Sequence, residues 1–335
     1  MNKFKYYFIL LITTVSLFSC SKDNNTAEIV PPRDYAVQYA TDLNDIEEYL
    51  KNYYIEDVSP DVDTKITKIP TGGTQPSIFS YLNSPTFPKL LSREVKLHDI
   101  TYKLYYLVLR EGVGESPTNV DEVYTTYRGE YLATTTVESV NTQTTTKFEE
   151  WIYEPQKANL FGYIRGWKEI FPQFKTGNSA SNSDGTVSHS GFGAGVMFIP
   201  SGLAYYSSGN GSIPAYSPLI FSFKLYAMQR LDHEYNFANG ARTPDGILSF
   251  QEDLDGDGYV WTKEELPAGA INPDDSDGDG IPNFLDTDDD GDGVSTKKEI
   301  TDATGKIIPF ASIPSCNGNT TDAMRIKKHL DKSCQ

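Results

Sequence analysis

Stretches rich in β-branched and aromatic residues recur along this chain, and they predict several β-strands. Residues 100–109 and 122–132 are two such stretches, and the two glycines within residues 111–114 predict a turn between them. A further strand is expected from Val196, and residues 219–225 alternate apolar and polar side chains, as a strand with one buried face does. The pattern therefore predicts a β-sheet built from the middle of the chain.

Apolar side chains at helical spacing predict a helix ahead of these strands. Leu43, Ile46 and Leu50 recur on one face of it, together with tyrosines further on, and Asp42 can cap its N-terminus. We expect this helix to pack on the domain that follows, and we assign it no functional residue.

A second helix is predicted to open within residues 162–169, where Trp167 follows a glycine. Ile170, Phe171 and Phe174 come next at helical spacing, so the tryptophan ring is expected to face a core. Large aromatic residues are mostly packing residues, and ordinary core is one interpretation of Trp167. The segments around it support a functional interpretation, given below.

Between these elements the composition predicts irregular chain. Residues 58–90 are rich in Pro, Thr, Ser and Gly, and residues 178–195 are rich in Ser, Asn and Gly, which indicates a surface loop. The threonine-rich residues 134–146 indicate a β-bulge or an exposed loop. A short helix is expected over residues 322–330.

The N-terminus predicts export. Lys3 and Lys5 precede an apolar run over residues 6–18, which ends just before Cys20. The run is shorter than the roughly 20 residues that a transmembrane helix needs. It resembles a bacterial lipoprotein signal in residues 1–19, which implies lipidation of Cys20 and a membrane anchor, with the membrane face left open. Polar residues 21–34 would form a flexible tether.

Charge divides the chain unevenly. Its 335 residues, 38% of them hydrophobic and 22% charged, indicate a globular protein of about two domains. The formal net charge is -17, and residues 251–302 alone hold 17 Asp or Glu against three Lys. This concentration argues against nucleic acid as a partner and favours a cation.

Five segments follow one another in an order that resembles prolyl isomerases of the FKBP type. They supply a strand, a helix, a strand, an aromatic loop and a closing strand, and the resemblance covers roughly residues 100–230. The segments are residues 123–129, 162–169, 197–205, 211–214 and 219–225. The resemblance implies an α+β fold in which an antiparallel β-sheet wraps around a central helix.

The same resemblance implies an aromatic pocket that holds a proline ring. Trp167 would form the floor, Ile164 would donate its backbone N–H to a substrate carbonyl, and Tyr205 would donate its hydroxyl. Such a pocket favours the twisted, less polar amide of the rotating X-Pro bond, and the rotation requires no nucleophile. The implied catalytic residues are Tyr127, Phe148, Glu149, Ile164, Trp167, Tyr205, Ile213 and Phe221, with Ile213 on the loop above the pocket.

Three positions depart from the family pattern. Glu149 stands where the family has aspartate, Tyr163 where a small aliphatic residue is usual, and Tyr206 where glycine follows the loop tyrosine. Because pocket geometry is sensitive to small displacements, a peptide-binding domain without turnover is an alternative to an active isomerase.

Three acidic loops predict structural calcium, since oxygen-only ligands suit Ca²⁺ better than Mg²⁺. Residues 253–264 fit the twelve-residue calcium loop, with oxygens at positions 1, 3 and 5, glycine at 6 and glutamate at 12. The second copy begins at Asp275 and the third at Asp288, so the two nearly abut, and they resemble thrombospondin type 3 repeats. The alternative to calcium binding is that this segment is a solvated acidic linker. The predicted ligands are Asp253, Asp255, Asp257, Tyr259, Glu264, Asp275, Asp277, Asp279, Ile281, Asp286, Asp288, Asp290, Asp292, Val294 and Glu299.

Cys316 and Cys334 are an even pair once Cys20 is lipidated, which favours a disulfide in an exported protein. The four histidines show no metal-ligand spacing.

The sequence thus predicts an envelope lipoprotein, in or near the outer membrane, that isomerises proline-containing segments of exported proteins. A binding module without turnover and a structural surface protein, serving adhesion or gliding, are the alternatives. The predicted divisions are 1–19, the signal; 20–90, the tether and helix; 91–230, the isomerase; 231–302, the calcium repeats; and 303–335, the tail.

Overall fold

The computed structural model describes residues 31–137, 140–236 and 240–334. The predicted lipoprotein signal and Cys20 lie outside these residues. Asp34–Gln335 form one compact unit, so the predicted divisions beyond the tether fall within a single body and remain predictions. In the described part of the chain, no helix combines the length and the apolar character needed to cross a membrane.

The architecture is mixed α/β with a large antiparallel sheet, as the sequence predicts at this level. Six strands form that sheet in the order β3-β4-β9-β10-β5-β6, and three two-stranded sheets accompany it. In chain order the strands are β1 (Tyr53–Val58), β2 (Thr64–Lys68), β3 (Lys89–Leu97), β4 (Ile100–Arg110), β5 (Glu122–Val137), β6 (Val140–Asn159), β7 (Asn178–Ser181), β8 (Val187–Ser190), β9 (Gly193–Ile199), β10 (Leu219–Gln229), β11 (Tyr235–Asn236) and β12 (Ala241–Arg242). Within the described residues the α-helices are α1 (Tyr35–Asn52), α2 (Arg165–Ile170) and α3 (Thr296–Glu299).

The two faces of the large sheet carry different helices. Alternate residues of β4 point to opposite faces, so Leu107 packs with Ile46 and Leu50 of α1. Tyr106, its neighbour in β4, instead joins the core that contains Trp167 of α2. Because both faces are covered, the central strands are buried, and all seven residues of β9 are inaccessible to solvent.

The first helix begins earlier than predicted. Asp34, not Asp42, is the N-cap, and its side chain accepts a hydrogen bond from the backbone N–H of Val37. Asp42 lies inside α1 and is buried, because Ser201 from the end of β9 supplies its backbone N–H and hydroxyl to the same carboxylate oxygen.

Two of the three stretches predicted as loops or bulges are largely β-structure, whereas residues 58–90 are mostly irregular, as predicted. Within residues 58–90 the short strand β2 pairs with β1 as a hairpin. Residues 134–137 continue β5 and residues 140–146 begin β6 in register, since threonine has a high strand propensity when it has a partner strand. Residues 178–195 contain the β7–β8 hairpin and the start of β9.

The C-terminal segment has little regular structure of its own. The helix expected over residues 322–330 is only a 3-10 turn, Lys328–Leu330, because hydrogen-bonded turns of Asn319 and Asp322 interrupt it. Cys316 and Cys334 are joined as a disulfide across these turns. The segment packs on the sheet domain through small apolar clusters, and the side-chain amide of Asn119 exchanges two hydrogen bonds with the backbone of Val260.

Candidate active site and metal loops

The aromatic residues singled out in the sequence converge at the N-terminus of α2. Trp167 is 1% exposed, and its ring meets Tyr127 at 5.1 Å and Phe221 at 5.2 Å between centroids, both edge to face. Phe148 extends the cluster through an edge-to-face contact with Phe221 at 5.6 Å. These geometries are the favourable ones for aromatic pairs, so the rings form a rigid apolar surface.

Glu149 holds one wall in position. Its Oε2 accepts a hydrogen bond from the Tyr127 hydroxyl at 2.8 Å, and its Oε1 accepts one from Nε1 of Trp151 at 2.9 Å. Burial raises the pKa of the Tyr127 hydroxyl, and the bond to the Glu149 carboxylate raises it further, so Tyr127 stays a neutral donor. The sequence pattern did not single out Trp151.

A break in strand register places Trp151 there. Tyr127 pairs with Trp151, whereas Thr125 pairs with Gln156, so residues 152–155 of β6 bulge out opposite a single residue of β5. Tyr153 within this bulge is 95% exposed. Bulges of this kind commonly redirect side chains beside functional sites.

The loop after β9 supplies the upper rim. Ile213 is buried in the same core as Trp167, and Tyr205 packs against that core while half-buried. Among the described residues the Tyr205 hydroxyl has no hydrogen-bond partner, which leaves it available to a ligand. Tyr206 adopts a φ of 44°, the left-handed region that favours glycine, and its ring stacks on Tyr35 at 4.1 Å.

Tyr163 alters the floor of the pocket. Its ring stacks on Trp167 at a centroid distance of 4.7 Å and an interplanar angle of 21°, and it is 38% exposed. The side chain therefore covers part of the indole face that a small residue would leave open. Ile164, the N-cap of α2, is half-buried beside it, and its amide lies outside the intrahelical hydrogen bonds.

A buried ionic cluster connects α2 to the first acidic loop. Arg165 pairs with Glu169 on α2 and lies over the Tyr259 ring at 4.4 Å. Oε1 of Glu265 lies 2.9 Å from Nζ of Lys168 and 3.0 Å from Nη1 of Arg165. Burial alone would raise the pKa of Glu265, but Lys168 and Arg165 bring it below its ordinary value.

The three acidic loops share one backbone design. In the first, both carboxylate oxygens of Asp253 accept hydrogen bonds, from the N–H groups of Gly256 and Gly258. Asp275 does the same with Gly278 and Gly280 in the second loop. The position 4 and 6 glycines of each loop have positive φ, which glycine adopts without steric cost. These turns gather the remaining carboxylate oxygens on the inside of each loop.

The third loop gives a direct test of whether a cation fits. Oxygens of Asp288, Asp290 and Asp292 lie within 4.8 Å of one another. Oδ1 of Asp288, Oδ2 of Asp290 and Oδ2 of Asp292 are buried and have no hydrogen-bond partner. Burial, together with the charges of Asp290, Asp292 and Asp288, raises the pKa of Glu299, at position 12, to about 8. This oxygen-only set fits calcium.

In the first loop a carboxylate outside the predicted set lies among the predicted ligands. The carboxylate that lies within 4.8 Å of Asp253 and Asp255 belongs to Asp274, which is buried, and Glu264 lies outside this group. A 3-10 turn capped by Thr262 directs the chain away after Trp261, and Glu264 stays exposed. Asp274 directly precedes the second loop and has no place in the loop pattern. Its position as an additional aspartate beside that loop was the one feature of the sequence that could have identified it.

Comparisons with known proteins give limited matches. The family described as BamM C-terminal matches residues 242–323, which include the three loops. Among curated proteins none matches this chain. Similar solved structures include FkpA from Escherichia coli, at 28% identity over 38% of this chain and 48% of that chain, with a TM-score of 0.28. This chain thus spans about half the length of FkpA.

Two further solved structures are similar. A peptidyl-prolyl cis-trans isomerase from Pseudomonas syringae pv. tomato is 21% identical over 42% of this chain and 81% of that chain, with a TM-score of 0.27. The N-terminal domain of FKBP42 from Arabidopsis thaliana is 15% identical over 38% of this chain and 86% of that chain, with a TM-score of 0.27.

Proposed function

We propose that this protein is a peptidyl-prolyl cis-trans isomerase of the FKBP type, anchored by lipid at Cys20 and braced by calcium-binding repeats. The observation that carries the proposal is the convergence of Trp167, Tyr127 and Phe221 from a helix and two strands, with Glu149 orienting the Tyr127 hydroxyl. The substrates would be proline-containing segments of exported proteins, and nucleic acid is not a proposed partner.

The chemistry follows from the barrier to amide rotation. That barrier is about 20 kcal/mol, because resonance is lost when the amide twists. The twisted amide is less dipolar, so an apolar aromatic surface stabilises it more than water does. The rings of Trp167 and Phe221 supply that surface, and each tenfold of rate requires about 1.4 kcal/mol of differential stabilisation.

Polar groups at the rim would hold the peptide. Tyr205 offers a hydroxyl without a partner in the described chain, and Ile164 offers a backbone N–H at the start of α2. The Tyr127 hydroxyl already donates to Glu149, so Tyr127 acts as a fixed wall in this proposal. No proton moves, so the rate is expected to be nearly flat between roughly pH 6 and 8.

Tyr163 favours a second candidate, a peptide-binding module without turnover. Its ring lies on the face of Trp167 that a proline ring would contact. A peptide could then bind on the rim at Tyr205 and Phe148 without the close contact that a twisted amide needs.

One experiment separates the two candidates. The cis-trans exchange rate of a proline peptide is measured by NMR with the purified full chain and three variants. We expect the unchanged chain to accelerate the exchange. Tyr205→Phe, which removes one hydrogen bond, should accelerate it about tenfold less than the unchanged chain, and Tyr163→Val should accelerate it more. Tyr153→Ala, which alters an exposed aromatic residue outside the cluster, is the matched control and should change nothing. Peptide binding with no acceleration by the unchanged chain or by Tyr163→Val would contradict the isomerase and support the binding module.

A further inference from the structure

Five carboxylates that are not among the predicted calcium-loop ligands come together where β10 leads into the C-terminal segment. They are Asp232, Glu234, Asp245, Glu252 and Asp289. Oxygens of the first three lie within 4.8 Å of one another, and so do oxygens of the last three, so Asp245 belongs to both sets.

The charge of this cluster is not compensated by the protein. Within the described ranges none of the five carboxylates forms a salt bridge with Lys, Arg or His. Lys297 donates to the main-chain oxygen of Pro244, and Arg242 donates to that of Asp232. The ring nitrogens of His233 are engaged by Ser249 and Asn159. Buried carboxylates without a counter-charge are costly, normally by several kcal/mol each.

The free oxygens of the cluster point to a ligand. Glu252 is 2% exposed, and both of its carboxylate oxygens are buried without a hydrogen-bond partner. Glu234 and Asp245 are equally buried, and each leaves one oxygen without a partner, Oε1 and Oδ2 respectively.

One oxygen each of Asp232, Glu234 and Asp245 accepts a hydrogen bond from the backbone. Oδ1 of Asp245 accepts from the N–H of Ile247 at 2.6 Å, and Oδ2 of Asp232 accepts from that of Gly246 at 3.1 Å. In Asp232, Glu234 and Asp245 one carboxylate oxygen thus orients the side chain and the other has no partner, whereas both oxygens of Glu252 and of Asp289 are without a hydrogen-bond partner. First-shell metal ligands in proteins are commonly oriented in this way.

Asp289 separates this cluster from the third loop. It occupies position 2 of that loop, between the predicted ligands Asp288 and Asp290, yet its carboxylate oxygens lie with those of Asp245 and Glu252. Its own N–H donates to the hydroxyl of Thr296. The third loop can therefore present one set of carboxylates to its own cation and a different carboxylate to the buried cluster.

We propose that this cluster is a buried site for two divalent cations, calcium by preference, with Asp245 bridging them. Asp232 and Glu234 complete one half, and Glu252 and Asp289 complete the other. Two divalent cations would nearly balance five carboxylates, and the oxygen-only ligand set suits calcium. The site joins the end of the large sheet to the third loop, so its ions would exchange slowly and hold the C-terminal segment in place.

Calcium retention tests the proposal. A variant of the full chain with Asp253→Asn, Asp275→Asn and Asp288→Asn removes the first ligand of each loop and leaves the buried cluster unaltered. After calcium loading and rapid desalting, native mass spectrometry should find two retained ions per chain. Adding Glu252→Gln and Asp245→Asn should remove both ions. Absence of retained calcium in the folded loop variant would overturn the proposal.

A thermal measurement keeps the proposal testable if the combined variants fold poorly. Glu252→Gln keeps the shape of the side chain and removes its charge. If the cluster binds calcium, this variant should melt several degrees below the unchanged chain in calcium, and at or above it in chelator. If the Glu252 carboxyl group is simply protonated in the fold, the difference in melting point between the variant and the unchanged chain will be the same in calcium as in chelator. That result would contradict the proposal. Glu154→Gln, an exposed carboxylate on β6, is the control and should shift neither melting point.

Discussion

Glu265→Gln should destabilise the fold far more than its position on a short turn indicates. Glu265 is the only carboxylate placed against both Lys168 and Arg165 within the part of the chain that the structure describes. The side chains of these two cations are 10% and 7% exposed, and that of Glu265 is 13% exposed. The substitution would leave Arg165 with Glu169 as its acidic partner, and Lys168 with no salt bridge among the described residues.

The expected magnitude follows from that burial. Removing one partner of a buried ion pair costs about 3–5 kcal/mol, mainly because the remaining charge stays desolvated. The Glu265 carboxylate also accepts the Tyr259 hydroxyl at 3.0 Å, a bond that glutamine can keep through its carbonyl oxygen. We therefore expect the free energy of unfolding to fall by about 3 kcal/mol, near the lower end of this range.

Urea unfolding followed by tryptophan fluorescence measures the loss, with Glu264→Gln as the matched control. Glu264 is the adjacent residue, is exposed and forms no salt bridge within the described ranges, so its substitution should cost less than about 0.5 kcal/mol. The pKa of Glu265 is lowered in the fold, so its contribution is present above the ordinary value of 4.5 and is lost as the pH falls through the folded pKa. A loss for Glu265→Gln no larger than that of the control, or one that persists unchanged at pH 3, would refute this reasoning.

Three further outcomes are expected. Burial raises the pKa of Asp42 from 3.8 to about 6, so stability is lost as the pH rises from the unfolded value through the folded one. Unfolding curves should show the chain losing about 3 kcal/mol relative to Asp42→Asn between about pH 3 and pH 8, and parallel stability curves would contradict this. Thiol labelling of the denatured, unreduced protein should find Cys316 and Cys334 unreactive, and two reactive thiols would exclude the bridge. Cys20→Ala should move the protein from the membrane fraction to the soluble fraction without changing its melting point, and unchanged fractionation would exclude the lipid anchor.

The strands of the large sheet were accessible from sequence because their pattern is local. Residues 100–109 were predicted and Ile100–Arg110 is observed, and residues 219–225 lie within Leu219–Gln229. The aromatic cluster at Trp167 was predicted for a different reason, namely the resemblance of its segments, in their order, to prolyl isomerases of the FKBP type. The threonine-rich residues 134–146 were misassigned because threonine serves equally in loops and strands, and only a pairing partner decides.

Features that depend on distant parts of the chain could not be derived in this way. Asp34 and Asp42 are both good capping residues, and the choice between them depends on Ser201, which lies far along the chain. The buried carboxylate cluster draws Asp232 and Asp289 together across the whole C-terminal segment, and none of its members has a spacing that marks a ligand. Long-range topology, rather than residue type, creates that site.

The break in register at residues 152–155 has a consequence for how readily copies of this chain can associate through the edge of the large sheet. β6 is the edge of the large sheet, and an uninterrupted edge of 20 residues would invite a strand from another chain to add to it. The bulge interrupts that edge, and Pro155 within it has no N–H to donate. The exposed rings of Trp151 and Tyr153 therefore lie beside a stretch of backbone that is a poor template for strand addition.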